Sequence, residues 1–189
     1  MPIQLSEREI GFDPAAIGFP SIGGCRAIVL VTATGLFGLH LSGTSSAQKE
    51  QNFAQFVTGH PQGGAAAKRS LYIAARVGGN SQHTSSGECY AEIKKYAAAL
   101  GYNGPTYWAD LSNVNGISAY VYFDGVGNNT CVISTRTWSD PADAVAGNKS
   151  AYAVGPDRAM ALGGAPAQTY NNNLSVAGLT AIYPTKVPD

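Results

Sequence analysis

The chain is predicted to fold as one mixed α/β domain of the α+β kind, a mainly antiparallel β-sandwich or sheet flanked by helices. Three observations predict it. The 189 residues fit a single domain. Short apolar or alternating stretches recur between turns rich in Gly and Asn, and only two segments switch to a helical period. With 44% hydrophobic and 13% charged residues, against a usual charged share of roughly 25%, the chain is built to bury a core. No internal repeat and no shift in composition divides it, so residues 1–189 are read as one domain.

Cys25 to Thr32 is apolar and β-branched and is bounded by Gly23 and Gly24 before it and by Thr34 and Gly35 after it. Both of its faces are apolar, as in a strand covered on two sides. Leu36 to Leu41 follows as the second arm of a hairpin, with Phe37, Leu39 and Leu41 on one face and His40 on the other. Ser45 or Ser46 can cap a helix over Gln48 to Val57 that stops near Gly59. Ser70 to Val77 alternates as a strand. Ser86 to Leu100 has Cys89, Ile93, Tyr96 and Leu100 on one helical stripe, with Gly101 as its stop. Thr106 to Leu111, Ile117 to Asp124 and Thr130 to Thr137 read as strands, the last two joined by a Gly- and Asn-rich turn, which makes the middle of the chain antiparallel in character. Beyond Ser139 the chain offers weak strand candidates at Ala151 to Val154 and Leu179 to Tyr183.

Charge excludes some partners. The 12 basic residues balance the 12 acidic ones, and the longest basic runs are the pairs Lys68-Arg69 and Lys94-Lys95, so no nucleic acid is expected as a partner. No stretch approaches the ~20 apolar residues of a membrane span. Glu7, Arg8 and Glu9 interrupt the position where a secretory signal would need an apolar run, so no signal peptide is visible, and a cytoplasmic location or a signal-independent export route is expected. Three cysteines without a CxxC suggest neither a disulfide framework nor a zinc site.

Gly23-Gly24-Cys25 lies where a loop enters the most buried strand, and the glycines leave room for a substrate backbone. His40 ends the next strand. Imidazole can take a thiol proton and later protonate a leaving amine, so Cys25 and His40 together permit acyl-transfer chemistry. A two-residue turn at Thr34-Gly35 would set His40 opposite Val29, leaving Cys25 four residues on, about 13 Å along a strand. Catalysis then requires a bulge, a longer turn or a curled strand start. The competing reading is that Cys25 simply packs, as free cysteines often do.

Ile22-Gly23-Gly24-Cys25, the hydrophobic strand after it and the His fifteen residues later resemble the pattern of the bacterial cysteine-dependent glutamine deamidases. That group holds the cytotoxic necrotizing factor catalytic domain, Burkholderia lethal factor 1 and the chemotaxis receptor deamidase CheD. The resemblance covers roughly Phe19 to Leu41. It implies a β-sandwich with outer helices, Cys25 as nucleophile and His40 as general base and acid. It also implies a third group that orients the imidazole, a role that the hydroxyl of Ser21 or a carbonyl near Phe19 would take. Gly23 stands where the motif has serine, and no His-x-Leu-Pro ending follows His40. Backbone N–H groups at Gly23 and Gly24 are the implied oxyanion donors. The implied partner is a target protein carrying a reactive Gln, a host protein if the chain is a toxin or effector, and neither metal nor organic cofactor is implied.

Two other functions remain open: another thiol hydrolase, such as a protease or amidase, and a non-catalytic binding module with a surface of aromatic-rich strands. Trp108, Trp138, Tyr107, Tyr120 and Tyr122 could line such a surface or fill the core. His60 and His83 read as solvated loop residues, and Cys89 and Cys131 as core.

Overall fold

In a computed structural model, the described residues are 2–125, 130–139, 157–162, 174 and 176–189. They form twelve strands and two helices: β1 (Ile3–Gln4), β2 (Glu9–Asp13), β3 (Ala16–Ile22), β4 (Arg26–Thr32), β5 (Leu36–Leu41), α1 (Ala47–Gly59), β6 (Lys68–Ala75), α2 (Ser86–Ala99), β7 (Thr106–Asp110), β8 (Ala119–Asp124), β9 (Val132–Thr137), β10 (Arg158–Met160), β11 (Thr180–Ile182) and β12 (Thr185–Lys186). One sheet has the order β1-β3-β8-β9-β11 and the other β10-β2-β5-β4-β6-β7-β12. The α+β class read from the sequence is the observed one.

Two hydrophobic layers hold the molecule together, and β4 feeds both. Its Ala27, Val29 and Val31 pack with Ile17 and Phe19 of β3 and Val121 and Phe123 of β8, forming the layer between the sheets. Its Ile28 and Leu30 pack on the other side with Phe53 and Val57 of α1 and Ile93 and Tyr96 of α2. Strand β4 is therefore covered on both faces, as its unbroken apolar run demands.

Ser46 caps α1 by accepting from the Lys49 N–H at 3.3 Å, and Ser85 caps α2 by accepting from the Glu88 N–H at 3.4 Å. Gly101 takes a positive φ of 59° and ends the second helix. Cys89, Ile93, Tyr96 and Leu100 are buried on the expected stripe.

The structure departs from the sequence reading in three places. The first 22 residues supply β1, β2 and β3, where the sequence reading placed no strand. Strand β7 runs parallel to β6, because α2 carries the chain back across the sheet, so the middle is not wholly antiparallel. His60 and His83 are buried: each ring bonds a carboxylate, of Asp157 at 3.1 Å and of Glu92 at 2.8 Å. The candidate strand at residues 151–154 lies outside the described residues, whereas the one near residue 180 is β11. Among the described residues, no helix is long and apolar enough to cross a membrane.

Candidate active site

Register decides whether Cys25 and His40 can meet. The Thr32 N–H donates to the Gly35 carbonyl at 2.9 Å, so the turn is centred on Ala33 and Thr34, one residue earlier than the Thr34-Gly35 turn considered from the sequence. That shift slides the pairing by two residues: His40 faces Ala27 rather than Val29, and Arg26 faces Leu41. Cys25 directly precedes β4, two residues from Ala27, and belongs with it to the layer between the sheets. The His40 ring lies against Phe19 of the same layer, with centroids 6.2 Å apart. The two side chains thus share a face as diagonal cross-strand neighbours, with Cα atoms about 7–8 Å apart by sheet geometry. The about 13 Å separation allowed by the sequence does not arise.

His40 is wholly buried, and its Nδ1 lies 2.8 Å from the main-chain carbonyl of Leu5. A carbonyl only accepts, so Nδ1 carries the proton, and in the neutral ring Nε2 holds the lone pair. Nε2 is buried without a hydrogen-bond partner among the described residues. Burial holds the imidazole pKa below its ordinary value, with the nearby Arg26 adding to the effect and the Leu5 carbonyl and Glu7 opposing it.

The Leu5 carbonyl occupies the position expected for Ser21 or a carbonyl near Phe19. Neither ring nitrogen of His40 bonds either of those groups. The reason is local: the pairing of β3 with β8 shifts between Phe19 and Ile22, and Ser21 adopts a left-handed φ of 59° within that irregularity. The N-terminal segment instead passes over His40, and the Arg8 N–H also donates to the His40 carbonyl at 2.8 Å.

Cys25 is 9% exposed, and its thiol donates to Glu7 Oε1 at 3.6 Å. Ser42 Oγ donates to the other carboxylate oxygen of Glu7 at 3.3 Å. Burial, followed by the Glu7 charge, pushes the thiol pKa up to about 11. Both shifts favour the neutral thiol and the neutral imidazole over a thiolate–imidazolium pair.

Gly23 and Gly24 carry the chain from β3 into β4 where other backbone comes close. A Cβ on Gly23 would lie 2.9 Å from the Ile117 carbonyl oxygen, and one on Gly24 would lie 3.0 Å from that of Asn80. Behind this bend, Arg26 Nη1 donates to the Gly24 carbonyl at 3.3 Å. Its Nε and Nη2 form a fork onto Glu92 at 2.8 and 2.7 Å, and Glu92 also bonds His83. Burial pushes the Glu92 carboxyl up, but Arg26 and His83 together outweigh it and hold the carboxyl below its ordinary range. Leu5, Glu7 and the Arg26–Glu92–His83 cluster were missed in the sequence. Leu5 acts through its backbone, which no side-chain pattern reveals, and Glu92 lies 66 residues from Arg26.

No family model matches the chain, and no curated protein matches it.

Proposed function

We propose that the chain is a cysteine-dependent protein glutamine deamidase, with Cys25 as nucleophile and His40 as general base and acid. The observation that supports this reading is the hairpin register, which makes Cys25 and His40 diagonal neighbours on one face, with Nδ1 tied to the Leu5 carbonyl and Nε2 without a hydrogen-bond partner among the described residues, the Cys25 thiol included. The likeness of Ile22 to Cys25 and the downstream His40 to the bacterial deamidases supports the same assignment, together with a host-protein target for a toxin or effector.

In this mechanism a Gln carboxamide displaces Glu7 from the thiol. As sulfur attacks the carboxamide carbon, the thiol proton passes to Nε2 of His40, which acts as a neutral base. The tetrahedral intermediate collapses by breaking the C–N bond, and the imidazolium protonates the nitrogen, which leaves as ammonia. Water, deprotonated by the same imidazole, then cleaves the thioester to give Glu and restore the thiol. The backbone at Gly23 and Gly24 would donate to the oxyanion.

The decisive experiment incubates Gln-containing peptides and proteins with the chain and with Cys25→Ser, measuring ammonia and peptide mass. Deamidation adds about one dalton without cutting the chain and disappears in the variant. Cleavage of the backbone instead would identify a protease. The raised thiol pKa favours a second reading, a binding module in which Cys25 only packs. No ammonia release and no mass change with either protein would leave that reading standing.

A further inference from the structure

A cleft of about 350 Å³ opens beside the glycine bend that leads into Cys25. Gly23, Gly78, Gly79, Ser81 and Ile117 are among the residues that line it. Arg76, which follows β6, is the sole charged residue among those lining it, and no carboxylate does so among the described residues. One guanidinium nitrogen, Nη2, is anchored by donating to the Val114 carbonyl at 2.7 Å. Another, Nε, is buried and makes no hydrogen bond among the described residues. A buried guanidinium N–H facing no acceptor lacks a partner that a folded chain ordinarily supplies.

The position of the cleft suggests what would complete it. Gly23 is two residues from Cys25, at most about 7 Å of chain. In an extended peptide with one side chain at the thiol, the neighbouring residue lies about 3.8 Å along the chain, and an Asp or Glu side chain there spans the rest of that distance. Ile117, 77% exposed, offers that neighbour an apolar rim. The glycines lining the cleft put no side chains across it.

We propose that this cleft is a carboxylate-binding subsite, in which Arg76 receives an Asp or Glu side chain next to the residue presented to Cys25. Its role in substrate choice rests on the deamidase reading; its binding of a carboxylate does not. Charge complementarity selects this occupant, since a carboxylate accepts from a guanidinium more strongly than an amide does.

The test uses the full chain carrying Cys25→Ser, so that no turnover occurs, labelled with ¹⁵N. It is titrated with acetyl-Gly-Glu-Gly-amide and, as the uncharged control, acetyl-Gly-Gln-Gly-amide. The expected result is movement of the Arg76 Nε–H signal and the Gly78 and Gly79 amide signals by the Glu peptide, with affinity at least about tenfold above the Gln peptide. Adding Arg76→Gln should erase that difference while leaving the remaining spectrum in place; Arg76→Lys, which keeps the charge, serves if the Gln variant fails to fold and should weaken the preference. Equal affinity for the two peptides, or an unmoved Arg76 signal, would overturn the proposal. Ammonia release from the Cys25 protein is measured separately. Selective binding without ammonia release would remove the deamidase reading and keep the subsite, whereas ammonia release with no preference for Glu beside Gln would do the reverse.

Discussion

At the scale of single residues, Glu7 bears on the state of Cys25 and the Leu5 carbonyl on that of His40. Glu7 sits 3.6 Å from the Cys25 sulfur and disfavours a second negative charge there. Glu7→Gln should therefore lower the pH at which iodoacetamide modifies Cys25, by about one unit from a value near 11. Site-resolved mass spectrometry reads this, and an unchanged pH profile would mean that burial alone holds the proton. His40 makes a different prediction. Its folded pKa lies below the ordinary 6.5, so on acidification the unfolded chain takes up a proton that the buried ring resists. The stability due to neutral His40 is complete above about 6.5 and lost as pH falls below it. In His40→Gln, whose amide can still donate to Leu5, the urea midpoint should depend less steeply on pH over that range.

At the scale of elements, the start of β4 is held from two directions. Strand β5 fixes its register, and α2 supplies the carboxylate that receives Arg26. Arg26 and Glu92 have side chains only 1% and 6% exposed, so each charge depends on the other for compensation. Glu92→Gln should cost about 3–5 kcal/mol at neutral pH by leaving a buried guanidinium unpaired. Denaturant unfolding measures this. Because the folded Glu92 pKa is depressed, its stabilisation is present above the ordinary carboxylate range and declines as pH falls through the folded value. The difference between wild type and Glu92→Gln should therefore shrink in acid. A constant difference across pH would indicate that packing rather than charge is at stake.

At the scale of the whole molecule, helices lie on one side of the larger sheet and the smaller sheet on the other. The site sits near the end of the layer between the sheets, where the β1–β2 turn and the β3–β4 bend converge on Cys25. Strands β4 and β6 are flanked by other strands on both edges, whereas β12 is a two-residue edge strand. Backbone amides of β4 and β6 should exchange with solvent near the global unfolding limit, and those of β12 orders of magnitude faster. Mass-resolved hydrogen exchange tests that gradient. Fast exchange at Ala27 or Ile28 would contradict a site built on a rigid strand.

The sequence by itself determined the α+β class, both helices with their serine caps, and the doubly buried character of β4. Periodicity, capping and β-branching act over a few neighbouring residues, so they can be read locally. It also singled out Cys25 and His40, through their chemistry and the glycines beside the cysteine. It did not reveal β1 to β3, whose short segments carry weak local patterns, nor the parallel entry of β7, which depends on where α2 returns the chain. Only the tertiary structure decided the register between Cys25 and His40, because moving the turn by one residue slides the pairing by two. It alone assigned the imidazole's orienting acceptor to Leu5, 35 residues from His40, and brought Glu7 to the thiol. These contacts join distant parts of the chain through backbone atoms and buried charge, which have no signature until the sheets are stacked.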